Sequence, residues 1–210
     1  MGVAKERYVF LDVAKGIGIV LVIMGHLVTL RSVPSTLIYS FHMPFFFIIS
    51  GMFAGTKLPF KDYVVHKFKQ LIIPFLVYFV IGLCFKTLLL VSGLDDKPFD
   101  VNNIVYQFFI AHPRDIFAGP IWFLTCLFGV TLLYFFCDKC IFRYLDNIVL
   151  KLLFLMVLYT AAYYVPIVLR KYNFRYIPFN WDIVLMALFF FCIGHFLKQY
   201  ILELSKLNVA

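Results

Sequence analysis

Charged side chains are scarce in this chain. They make up 14% of its 210 residues, against 63% hydrophobic and 20% aromatic. A water-soluble domain is about 45–50% apolar. A globule of this size has no room to hide the excess from water, so the bilayer must act as solvent. Alternation of polar and apolar residues is missing too. That excludes a transmembrane barrel, whose strands face lumen and lipid in turn. Helices remain as the spanning element with satisfied backbone groups.

Other absences narrow the reading further. No small-residue cleavage site follows the first apolar run, and Asp12 and Lys15 interrupt its start. The run therefore reads as a retained span and not as a signal peptide. Cys137 and Cys140 form a lone C-x-x-C with no second pair. A structural zinc takes about four ligands, so no metal is expected. These two, with Cys84, Cys126 and Cys192, read as small packing residues. There is no internal repeat and no low-complexity tract.

What is present is a series of apolar runs. Spans are expected near Val9–Leu30, Leu37–Phe53, Leu71–Val91, Gly119–Cys137, Ile148–Val165 and Ile183–Leu197. Each approaches the ~20 residues that cross ~30 Å of hydrocarbon. Ile104–Ala111 is too short to span and reads as interfacial or re-entrant. Pro34 and Ser35 mark a tight turn between the first two spans, and Asp95, Asp96, Lys97 and Pro98 a polar loop after the third. The expected fold is all-α, a polytopic transmembrane helix bundle of about six to seven spans over residues 1–210.

The formal charge is +8. The basic residues sit between apolar runs, as membrane anchors do, so nucleic acid is not an expected partner and membrane lipid is. With the N-terminus inside, eleven lysines and arginines fall on inner segments (Lys5, Arg7, Lys15, Lys57, Lys61, Lys67, Lys69, Lys139, Arg143, Lys198, Lys206). Six fall on outer loops (Arg31, Lys97, Arg114, Arg170, Lys171, Arg175). The balance predicts a cytoplasmic N-terminus. Lys86 and Lys151 lie inside apolar segments.

Ionisable groups in a span face the bundle interior or a cavity, because lipid makes them costly. The first span has Asp12, Lys15 and His26. At ~100° per residue, Lys15 and His26 return to within ~20° of one face, Asp12 to within ~60°, and Lys15 and His26 stand ~16 Å apart along the axis. Gly16, Gly18 and Gly25 flank this stripe, either as helix-packing contacts or as places where a ligand approaches the backbone. His42 opens the second span. With the turn centred on Pro34, His26 and His42 are equally distant from it, so they are expected at matched depth in one polar pocket. The segment from Lys57 to Gln70, with Lys61, His66, Lys67 and Lys69, reads as an inner anchor and also as a mouth that attracts a polyanion. Trp122 and Phe123 read as an interfacial aromatic belt or as a stacking platform for a sugar.

These residues carry a resemblance. Asp12-Val-Ala-Lys15-Gly16-Ile17 followed by Met24-Gly25-His26 resembles the opening motif of the acyltransferase 3 family: a basic residue, ten others, then histidine. Phe41-His42-Met43-Pro44-Phe45-Phe46-Phe47-Ile48-Ile49-Ser50-Gly51 is similar to the family's second helix. Lys67-Phe68-Lys69-Gln70-Leu71-Ile72-Ile73-Pro74 resembles its basic motif, with lysines where the family usually has arginines. Gly119-Pro120-Ile121-Trp122-Phe123-Leu124 resembles its Gly-x-x-Trp-Phe-Leu signature, and Asp182 to Gly194 the helix that follows.

The resemblance implies a multi-pass acyltransferase of the bacterial inner membrane, of the fucose 4-O-acetylase-like kind. It implies transfer of acetyl from cytoplasmic acetyl-CoA, a co-substrate and not a bound cofactor, to a hydroxyl of a carbohydrate or lipid-linked sugar. The family has about ten spans, so this chain matches its N-terminal part. Histidine serves such chemistry as general base or as acyl carrier. His26 is the expected catalytic residue, with His42 orienting the acceptor or helping with the proton and Asp12 positioning Lys15. Lys15, Lys67 and Lys69 are expected on the CoA phosphates, and Trp122 on the acceptor. Two other readings fit a polar stripe in an apolar bundle: a transporter, and an inactive remnant or assembly subunit. Against transport, no pair of broken helices stands in matched halves.

Overall fold

The computed structural model describes residues 9–27, 33–95, 100–110, 121–172 and 183–207. Their regular structure is entirely helical. α1 runs Val9–Leu27 and α2 Val33–Met52. α3 (Phe60–Lys67), a π-helical turn (Phe68–Ile72) and α4 (Ile73–Val91) follow one another without a break. α5 is short (Val101–Ile110). Then come α6 (Trp122–Cys140), α7 (Ile148–Lys171) and α8 (Val184–Leu207).

Four stretches are long and apolar enough to cross a membrane: Phe60–Val91, Trp122–Tyr144, Ile148–Leu169 and Val184–Ile201, with Thr36–Met52 as a shorter apolar helix. A helical membrane bundle is thus the fold.

Four boundaries differ from the sequence reading by four residues or more. α2 begins at Val33, so Pro34 lies in its first turn and not in the connection. A proline is tolerated there because a first-turn N–H has no helical partner. The third span begins at Phe60 and not at Leu71. Lysine, histidine and glutamine are adequate helix formers, so the helix runs on past its apolar part. α7 continues beyond Val165 through Pro166 to Lys171. α8 extends beyond Leu197 to Leu207. Residues 28–30, Ala111, Gly119, Pro120 and most of the Asp95–Pro98 loop lie outside the described residues.

The chain divides into two compact units: Met1–Ala54 with Phe190–Ala210, and Gly55–Phe189. In the first, glycines permit close packing. A Cβ on Gly18 would stand 2.8 Å from the Phe45 ring, and one on Gly25 3.0 Å from Ile38, so α1 lies tightly on α2. A Cβ on Gly51 would stand 1.9 Å from the Phe191 carbonyl oxygen, and one on Gly194 1.9 Å from that of Ile48. The backbones of α2 and α8 therefore touch.

In the second unit, α3 pairs with α6. Phe60 packs on Phe135 and Phe136, Tyr63 donates to the Thr131 carbonyl at 3.1 Å, and Phe68 meets Phe128. Thr56, buried in the connection before α3, donates to Asp138 of α6. Farther along, Phe75 and Phe79 form a cluster with Ile104, Phe108, Ile121 and Leu124. α5 is thus seated on the middle of the long helix.

Candidate functional site

The first unit holds Asp12, Lys15, His26 and His42. On α1 the face toward α2 is set by Gly18 and Gly25. Counting from Lys15, these lie about 60° and 80° to one side, and position 26 about 20° to the other. The Lys15–His26 stripe therefore runs along the edge of the α1–α2 contact. The side chain of His26 lies outside the described residues; its place on α1 is what the structure supplies.

Asp12 Oδ1 stands 3.8 Å from Lys15 Nζ. That ammonium also lies 4.2 Å from the centre of the Phe53 ring. Lys15 therefore bends back toward the start of α1, as helical side chains do, and its charge meets the ring face just past the end of α2. Phe53 was not anticipated from the sequence, because contact with it depends on the hairpin register.

His42 is 5% exposed. It sits mid-stripe among Ile38, Tyr39, Phe45 and Phe46, the residues that meet the α1 glycines. Its Nδ1 is 2.8 Å from the Ile38 carbonyl oxygen. A carbonyl only accepts, so Nδ1 carries the proton and Nε2 of the neutral ring holds the lone pair. The Tyr39 ring meets His42 edge-on at 5.2 Å, and its hydroxyl donates to the Gly25 carbonyl at 3.2 Å. Tyr39 thus ties the His42 turn to the residue before His26. It is a site residue the sequence reading missed, and nothing in its spacing alone signals it.

The matched depth of the two histidines is not observed. Residue 18 faces 45–46 and residue 25 faces 38–39, so position 26 lies level with 37–38 and His42 with 21–22. The stagger is about one turn, ~6–7 Å. Pro34 belongs to α2 and not to the connection, so an equal count of residues on either side of it does not set equal depth. His42 therefore lies between Lys15 and His26 along the hairpin.

Lys67, Lys69 and Trp122 belong to the other unit. Lys67 Nζ donates to Gln70 Oε1 at 3.2 Å and lies 5.7 Å from the Tyr63 ring centre. Lys69 is exposed on the π turn. Such turns are rare and favour functional sites. Trp122 starts α6 half-buried, between Ile121 and Leu124, which pack on Phe75 and Phe79. Phe75 is fifteen residues from Phe60 and sixteen from Val91, the ends of the long helix. Trp122 is thus level with the middle of that long helix and stands at the first residue of the α6 span.

Among the described residues no group of three or more histidine, cysteine or acidic side chains is placed to hold a metal ion. A family model described as an acyltransferase domain, acyltransferase 3, matches residues 8–209. The chain belongs to the acyltransferase 3 family. It is a multi-pass membrane protein of an acyltransferase family, and the hairpin just described holds the residues that resemble that family's opening motifs. No curated protein and no solved structure matches it significantly.

Proposed function

We propose that this acyltransferase 3 protein moves an acetyl group from cytoplasmic acetyl-CoA to a hydroxyl of a surface carbohydrate or lipid-linked sugar at the bacterial inner membrane. The observation that carries the reading is the α1–α2 hairpin. It sets an ion-paired lysine at its foot and, above it, a buried histidine whose Nε2 is left basic. Position 26 lies one turn higher on the same edge.

Acetyl transfer to an alcohol needs an acceptor for the hydroxyl proton. The sugar oxygen attacks the thioester carbonyl carbon while its proton passes to a histidine nitrogen. The carbon–sulfur bond breaks, the CoA thiolate leaves and takes up the proton, and the sugar acetate ester remains. His26 is assigned as the base. If it carries the acetyl group itself, two such transfers run in series through the same nitrogen. His42 orients the hydroxyl through Nε2 or relays its proton. Lys15, positioned by Asp12, and Lys67 and Lys69 neutralise the CoA phosphates. Trp122 stacks against the acceptor sugar. Acetyl-CoA is a co-substrate, and the reading requires no tightly bound cofactor.

The test uses membranes carrying the full chain, acetyl-labelled acetyl-CoA and a panel of extracted glycans and lipid-linked sugars. His26→Ala is expected to lower transfer at least ~100-fold. Lys15→Ala is expected to raise the donor KM about tenfold with kcat little changed. An H26A enzyme with wild-type turnover would end the assignment.

A further inference from the structure

Among the titratable side chains of α8 that the chemistry above leaves unused are His195 and Lys198. Both are half-buried. At about 100° per residue, Phe191, His195 and Lys198 fall within about 60° of one another. Phe191 is 1% exposed, and its carbonyl is the group pressed against Gly51 of α2. The two polar residues therefore continue the buried face of α8 past its crossing with α2.

Direction matters next. Each glycine at the crossing meets the carbonyl three residues before the other glycine. That reciprocity suits two helices running the same way. Three long apolar helices separate α2 from α8, which also makes the two run in one direction across a bilayer. Beyond the crossing, α2 reaches Phe53, two residues after Gly51, where the Lys15 ammonium lies 4.2 Å from the ring centre. α8 reaches His195 one residue and Lys198 four residues after Gly194. Lys15, His195 and Lys198 thus gather at one end of the same unit. Among the described side chains, which do not include that of Glu203, no carboxylate pairs with Lys198. A half-buried ammonium in an apolar bundle is costly without a counter-charge, and a bound anion supplies one.

We propose that His195 and Lys198 complete, with Lys15, a cradle for the phosphate groups of the CoA donor. His195 offers a ring N–H and Lys198 a full charge. The inference rests on the donor reading given under Proposed function, and the experiment separates the two.

The full chain in detergent is titrated calorimetrically with coenzyme A, 3′-dephospho-coenzyme A and pantetheine. Lys198→Gln and His195→Gln are each expected to weaken coenzyme A about tenfold. Lys198→Arg should stay within about twofold of wild type, since it keeps the charge. Pantetheine, which lacks the phosphates, should not distinguish the variants. Wild type binding coenzyme A with both glutamine variants binding equally well would overturn this inference and leave the donor reading standing. Wild type failing to bind coenzyme A would overturn both. A second measurement needs no variant: saturating coenzyme A should slow acylation of Lys198 by an N-hydroxysuccinimide ester, read by mass spectrometry. Unchanged labelling overturns the cradle.

Discussion

Single residues decide how closely the helices of the first unit approach. Gly51 and Gly194 each face a carbonyl oxygen at a distance no Cβ tolerates, and the obstacle is backbone, which does not swing aside. Gly16 has nothing within 4 Å of its would-be Cβ. Gly51→Ala is therefore expected to lower the melting temperature of the detergent-solubilised protein clearly, with a cost of ~1–3 kcal/mol or more. Gly16→Ala should be neutral or slightly stabilising, since alanine is the better helix former. Equal melting of the two variants would contradict the close crossing. Gly51 was legible in the sequence as part of a family motif, and Gly194 as the end of another. Their opposition was not, because the sequence contains no signal that α2 and α8 meet. The stripe of Asp12, Lys15 and His26 was legible, since helical period alone dictates it. The depth of His42 was misread because Pro34 was given to the connection and not to the helix.

At the scale of elements, the long Phe60–Val91 helix has two features beyond its apolar run. The first is the π turn at Phe68–Ile72, which holds one residue more than an α-helical turn. Deleting Gln70 should restore an α-helix and leave everything after it facing as before, since the wide turn already absorbs the extra residue. Phe75 and Phe79, 1% and 7% exposed, would keep their cluster with Phe108 and Leu124. A wild-type size-exclusion profile with an equal or higher melting temperature is the expected outcome, and loss of monodisperse protein would contradict it.

The second feature is Lys86, 5% exposed, whose Nζ stands 2.5 Å from Asp95 Oδ2 beyond the helix end. Asp95→Ala strands a buried ammonium and is expected to cost about 3–5 kcal/mol, whereas the double variant with Lys86→Met should recover most of that. Melting curves of the three proteins decide it, and a double variant no better than D95A contradicts the pairing. Lys86 was visible in the sequence as a charge in an apolar run, and Asp95 as a polar loop residue. Their union was hidden because Gly93, at a φ of 72°, turns the chain back on the helix. The early start at Phe60 was missed for a different reason. An apolar run marks where lipid begins, and a helix need not stop there.

At the scale of the whole molecule, composition alone required a membrane. The family was legible from motifs on α1 and α2, and its model spans nearly the whole chain. Lys15, His42 and position 26 follow one another along one hairpin. Under the proposed function they form a polar path through apolar surroundings, with a cation at its foot.

Cysteine accessibility along that hairpin tests the path most directly. The five native cysteines are replaced, and Lys15→Cys, His42→Cys and His26→Cys are treated with a membrane-impermeant methanethiosulfonate from the cytosolic side. All three are expected to react, fastest at 15, then 42, then 26, and coenzyme A should slow each. Val13→Cys, on an outward-facing position of α1, serves as the lipid-facing control and should stay inert. If positions 42 and 26 prove as inert as 13, no polar path joins the lysine to the histidines, and the proposed chemistry has no route.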